Sequence, residues 1–134
     1  MADPSPPAPR ACVLIIEDNV DAADTLARLL YLRGGFDVRV AYDGMAGLKS
    51  AVERPPDAVV CDIGLPKMDG FQLARDLIAA LPHKPLLIAL TAYGHSYAEE
   101  PALAAGFDHY LTKPADPTVI EELIRCRFPK PSCG

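Results

Sequence analysis

Three short runs without a polar residue constrain this chain more than any other feature: Cys12-Val13-Leu14-Ile15-Ile16, Ala58-Val59-Val60-Cys61 and Leu86-Leu87-Ile88-Ala89-Leu90. A strand with one face in water alternates apolar and polar residues, so a strand apolar on both faces has to be covered on both. Between these runs lie segments of helical period. Ala22, Leu26, Leu29 and Leu30 follow the first run, and Phe71, Ala74, Leu77, Ile78 and Leu81 follow the second. The Gly34-Gly35 pair ends the first helix, after which Phe36, Val38 and Val40 alternate with Asp37 and Arg39, the pattern of a half-exposed strand. Asp43-Gly44 opens another helix, with Met45, Leu48, Ala51 and Val52 on one face and Pro55-Pro56 as its stop. A further helix falls between Gly94 and Gly106, limited by Pro101 because proline disrupts a helix interior. Asp108 to Thr112 reads as a short strand, Lys113-Pro114 as a turn, and Val119, Ile120, Leu123 and Ile124 mark a last helix.

Five strand–helix units with apolar central strands predict an α/β fold, a five-stranded parallel sheet with helices on both faces. Of the two common doubly wound orders, 2-1-3-4-5 suits five strands and gives the alternating second strand an edge. The prediction is a flavodoxin-like three-layer sandwich. Ligands of such folds bind beyond the carboxyl ends of the strands at the switch point, here between strands one and three.

At 134 residues, half of them apolar, the chain has the size of one domain. We place that domain at residues 11–127, after a disordered Pro-rich leader (1–10, with Pro4, Pro6, Pro7 and Pro9) and before a loose tail (128–134). After Arg127 there is no room for an output module, which predicts a domain that stands alone. A net charge of −5, with no basic stripe, argues against a nucleic-acid or anionic-membrane partner. No apolar stretch has membrane-span length and the start lacks a signal-peptide core, so the expected location is cytoplasmic. Cys12 and Cys61 lie in apolar runs and read as structural thiols, and Cys126 and Cys133 suggest no function.

Strand one runs into Glu17-Asp18 and strand three into Asp62, on either side of the predicted crevice. Three carboxylates converging at the mouth of an apolar sheet repel one another unless a cation holds them, and oxygen ligands without His or Cys select a hard ion such as Mg²⁺. Thr91 ends strand four and Lys113 follows strand five. Metal, carboxylate, hydroxyl and ammonium together suit a phosphoryl group. Each residue also has a plainer reading: Glu17-Asp18 as a helix cap, Asp62 as a turn residue, Thr91 as a cap, and Lys113 as a solvated charge. Asp43 and Asp69, each before a glycine at a helix start, are read as caps.

With these residues in view, the chain resembles the receiver domains of two-component response regulators over about residues 11–127. The matching pieces are Glu17-Asp18, Asp62 with Ile63-Gly64-Leu65-Pro66-Lys67-Met68-Asp69-Gly70, Thr91-Ala92, and Tyr110 with Lys113-Pro114. The wording is most similar to receivers attached to, or paired with, hybrid sensor histidine kinases. The resemblance implies that Asp62 accepts a phosphoryl group from a sensor histidine kinase or a histidine phosphotransfer protein. It implies that Asp18, Asp62 and the carbonyl of Gly64 hold Mg²⁺ directly, with Mn²⁺ as a substitute, and that Glu17 acts through water. Lys113 would pair with a phosphoryl oxygen, Thr91 would move to bond another, and Tyr110 would swing inward as the switch. A cis Lys113–Pro114 bond is implied, and a monomer or a phosphorylation-dependent dimer. Gly64 and Tyr93 occupy positions that influence hydrolysis in such proteins.

Glu17 stands where many receivers have Asp, and Pro101 departs from the Arg-rich fourth helix of similar receivers. The reading is of a phosphoacceptor, not an enzyme beyond self-phosphorylation and autodephosphorylation. Two other functions compete with it. An Asp-nucleophile phosphatase usually carries a second Asp two residues on, where this chain has Gly64. A receiver-shaped binding module without turnover would have no use for the full acceptor set.

Overall fold

The computed structural model describes residues 10–63, 69–91 and 96–129, the side chains of 96–99 excepted. Strands β1 (Cys12–Ile16), β2 (Asp37–Ala41), β3 (Ala58–Asp62), β4 (Leu86–Thr91) and β5 (His109–Thr112) form one parallel sheet in the order β2-β1-β3-β4-β5. The expected topology is observed, with β2 at an edge. Helices α1 (Val20–Leu29), α2 (Gly44–Glu53), α3 (Gly70–Ala80), α4 (Ser96–Ala105) and α5 (Pro117–Arg127) connect and follow the strands.

Alternation of side chains along each strand divides the core in two. Leu14, Ile16, Val59, Cys61, Leu87 and Ala89 face the layer that carries α2, α3 and α4. Val13, Ile15, Val60, Ile88 and Leu90 face α1 and α5, meeting Ala23, Leu30, Ile120 and Ile124. Both layers are apolar, which is why β1, β3 and β4 carry no polar residue before their last position.

Three helices differ from expectation. On α1 the buried stripe runs through Ala23, Leu26, Ala27 and Leu30, and Ala22 is exposed; the helix ends in a π-helical turn, Leu30–Gly34, closed by Gly35 at φ 68°. Gly35 lies in the left-handed region that glycine enters at no steric cost. On α2 the inward face is Gly44, Gly47, Leu48 and Ala51, while Met45 (74% exposed) and Val52 (51%) point out. The reason is close approach: a Cβ on Gly47 would lie 2.5 Å from Ile16 Cδ1, so the helix rests on β1 at glycine distance. Helix α4 runs through Pro101 instead of being limited by it.

Caps fix the starts of the helices. Asn19, Asp43, Asp69 and Asp116 each accept a backbone N–H of the first turn, from Ala22, Ala46, Phe71 and Thr118 at 2.7–3.0 Å. Asp43 and Asp69 are therefore caps, as read from sequence. At the other end of α2, Arg39 from β2 donates to the carbonyls of Ser50 (3.1 Å) and Arg54, and to Ser50 Oγ (2.9 Å).

Candidate phosphoacceptor site

The sheet register delivers the site. Ile16 pairs with Cys61, so Glu17 and Asp62, the next residues, emerge side by side; Thr91 pairs with Thr112, so Lys113 emerges beside the end of β4. Asp62 itself pairs with Leu90, one residue short of Thr91. Glu17 (3% exposed), Asp62 (8%) and Thr91 (9%) are the buried polar residues among those described.

The ammonium of Lys113 joins the two acids, donating to Asp62 Oδ2 at 2.8 Å and to Glu17 Oε1. The second oxygen of Glu17 accepts the backbone N–H of Asn19 at 3.2 Å. Burial pushes the Glu17 carboxyl above its ordinary value and the acids Asp62 and Asp18 add to this, against the pull of Lys113 and the Asn19 N–H. For Lys113, burial works to lower the pKa, but the hydrogen bonds and charges of Asp62 and Glu17 outweigh it and the net shift is upward. The Cys61 thiol next to Asp62 is pushed up by burial and by the Asp62 and Glu17 charges, so it stays a protonated, inert core group.

One oxygen each from Glu17, Asp18 and Asp62 lies within 4.8 Å of the others. Three acids against one ammonium leave an excess of negative charge at a crevice walled by an apolar sheet. That donor set fits a hard divalent cation. The plainer capping reading of Glu17 and Asp18 does not hold, since Asn19 caps α1. Gly64 and Tyr93 lie outside the described residues. Tyr110 is on β5, half-buried and packed against the α2–α4 layer of the core. The Lys113–Pro114 bond is cis.

Asn19 was not singled out from sequence as a site residue, although its role had a signal: an Asn directly before a helical period is a cap, and a cap next to an acid offers that acid a backbone N–H. A cavity of about 650 Å³ opens beside Glu17 and Lys113, between α1 (Ala22, Leu26, Leu29) and the turn at Pro114-Ala115.

A 2-1-3-4-5 parallel sheet with an acidic crevice and a lysine at its switch point places the chain among the doubly wound, flavodoxin-like domains, which bind their ligands beyond the carboxyl ends of the strands. Within that class the chain belongs to the response regulator receiver domain family, whose model matches residues 13–125. It is 36% identical over 116 residues to the transcriptional regulatory protein CreB of Escherichia coli, covering 87% of this chain and 50% of CreB. It is also 36% identical over 115 residues to an uncharacterised 14.6 kDa protein of Leptolyngbya boryana, covering 84% of this chain and 86% of that one. The chain spans about half the length of the curated regulators it matches, 50% of CreB and 46% of PhoP of Bacillus subtilis.

Among solved structures, a CheY-like receiver domain protein from Methanospirillum hungatei superposes with a TM-score of 0.79 at 27% identity, over 89% of this chain and 94% of that one. A response regulator protein from Burkholderia pseudomallei, solved with a phosphorylated aspartic acid and a calcium ion, gives 0.76 at 28% identity over 89% and 73%. The protein is thus a signalling domain of the two-component type. No helix among the described residues is long and apolar enough to cross a membrane.

Proposed function

We propose that Asp62 is the acceptor of a phosphoryl group carried to the crevice on a histidine of a sensor kinase or a phosphotransfer protein. The observation that carries this is the placement of Asp62: a carboxylate at the end of a buried strand, held at 2.8 Å by the Lys113 ammonium and grouped with Glu17 and Asp18. In the transfer, the P–N bond to the donor imidazole breaks as an Asp62 oxygen bonds to phosphorus; the imidazole keeps the electron pair and takes up a proton. The phosphorylated aspartic acid in the Burkholderia pseudomallei relative supports the same chemistry here.

Glu17, Asp18 and Asp62 would hold Mg²⁺, or Mn²⁺ in its place, and such an ion supplies charge neutralisation between a carboxylate and an anionic phosphoryl group. Lys113 leaves its carboxylate partner to pair with a phosphoryl oxygen, and Thr91 supplies a hydroxyl at the neighbouring strand end. Thr91 and Tyr110 together form the switch that turns the new charge into a changed protein-binding surface. With a net charge of −5, this domain signals through protein contacts.

The test is incubation with acetyl phosphate and Mg²⁺ followed by intact mass measurement. Wild type gains one labile phosphoryl group and Asp62→Asn gains none; an unlabelled wild type, or a labelled variant, ends the proposal. A Mg²⁺ titration that is unchanged when Glu17 and Asp18 are both replaced by alanine would remove them as ligands.

A further inference from the structure

Helix α1 and the turn between β5 and α5 do not close on each other. The cavity of about 650 Å³ between them runs from Glu17 and Lys113 to Leu29. Asn19, Ala22, Leu26 and Leu29 line it at i, i+3, i+7 and i+10, which is one face of α1 and a length of about 15 Å. Ala22 belongs to the apolar period of the sequence, and it is exposed where it faces this trough. Pro114, Ala115 and Pro117 form the opposite wall, and Ile15 of β1 and Leu90 of β4 lie at the floor.

The walls hold their shape without an occupant. Asn19 Oδ1 accepts the Ala22 N–H at 3.0 Å at the start of α1. Across the trough, the Lys113 N–H donates to the Thr91 carbonyl at 2.6 Å, and Asp116 Oδ1 accepts the Thr118 N–H at 2.8 Å. Pro114 and Pro117 add backbone angles fixed by their rings. The volume falls within the range of about 300–1,000 Å³ of small-molecule sites, and a site already in shape loses little affinity to ordering. A docked helix packs against ridges on both sides of its groove; here α1 supplies one set and the facing wall is a turn.

The trough is apolar along its length and charged at one end. Glu17 and Asp21 face it there, and Asp18 and Asp62 are grouped with Glu17, one oxygen of each within 4.8 Å of the others. Lys113 is the cation at that end, and Glu17 and Asp62 already engage it. Among the described residues, four acids thus share one end of the trough with one ammonium. Beside an apolar wall such an excess attracts a cation and repels an anion.

We propose that the trough is a binding site for a small organic cation, an ammonium or amidinium on an aromatic or short aliphatic body. The head lies beside Glu17 and Asp21, and the body covers Ala22, Leu26 and Leu29. The proposal depends on the cavity and its charge, and not on phosphoryl chemistry at Asp62.

Phenethylamine tests it, with phenethyl alcohol and phenylacetate as neutral and anionic molecules built on the same body. Each is titrated into the full chain in chelator, so that no divalent cation answers the acids, and backbone amide resonances are followed. Phenethylamine is expected to give saturable shifts clustered at residues 19–29 and 113–118, with a Kd on the order of 1 mM, as suits so few atoms. Phenethyl alcohol is expected to bind roughly threefold more weakly and phenylacetate roughly tenfold or more. Ala22→Phe fills the trough from an exposed position and is expected to weaken phenethylamine by roughly tenfold, as is Ala115→Leu from the opposite wall. Absence of saturable shifts, shifts scattered outside these two segments, or either filled variant binding like wild type overturns the site. Phenylacetate or phenethyl alcohol binding as tightly as phenethylamine overturns the assignment of a cation.

Discussion

The two ends of the sheet carry acids for opposite reasons. At the amino ends of the strands, Asp57 Oδ2 accepts the N–H of Cys12 at 2.7 Å, and Asp108 Oδ2 accepts the N–H of Leu87 at 2.9 Å and the Lys84 ammonium at 2.7 Å. These carboxylates meet backbone donors that would otherwise be unpaired at the rim of the core, and each has a donor of its own. At the carboxyl ends, Glu17 and Asp62 are more deeply buried and share one lysine, with Asp18 adding a third charge. The first arrangement serves the fold. The second is held against the interest of the fold, and a site that stabilises poorly in its resting state is one that gains from a cation or a phosphoryl group.

Substitutions break the comparison in order of size. Lys113→Ala leaves two buried acids without a counter-charge and is expected to lower unfolding free energy by about 3 kcal/mol, read by urea melts in chelator. Asp57→Ala orphans the Cys12 N–H and is expected to cost about 1–2 kcal/mol in the same melts, with phosphoryl labelling of Asp62 unchanged. Asp62→Asn has the opposite sign: it removes one of three like charges, and a gain of about 1 kcal/mol is expected together with complete loss of labelling. Lys84→Ala loosens a half-exposed pair and is expected to shift stability by about 0.5 kcal/mol or less. If Asp62→Asn destabilises as Asp57→Ala does, the distinction between the two ends disappears.

Much of this arrangement was legible in the sequence because burial on both faces leaves no room for polar residues until a strand ends. The runs before Glu17, Asp62 and Thr91 therefore announced both the sheet and the crevice. What apolarity does not encode is close approach. Met45 and Val52 looked like the buried face of α2, yet Gly44 and Gly47 occupy it because β1 lies too near for larger groups. The same holds for partners distant in sequence. Strand-end positions placed Lys113 near the acids, but nothing in its neighbours showed that Glu17 and Asp62 would share it, or that Arg125 would meet Gly34 across 91 residues. Pro101 misled for another reason: tertiary contacts of Ala102 and Ala105 carry the helix through a residue that intrinsic preference would exclude.

Arg39 has a consequence for how the chain finds this structure. Strand β2, like β5 at the other edge, is bonded on one side only, so the ladder specifies its alignment less than that of the central strands. A slip by one residue would turn Arg39 to the α1 side and strand its guanidinium away from the carbonyls of Ser50 and Arg54 that it meets at the end of α2. The same slip would carry Val38 and Val40 out of the apolar layer they line. One arginine thus acts as a proofreading contact, rewarding the single alignment in which an edge strand and the helix that follows it agree.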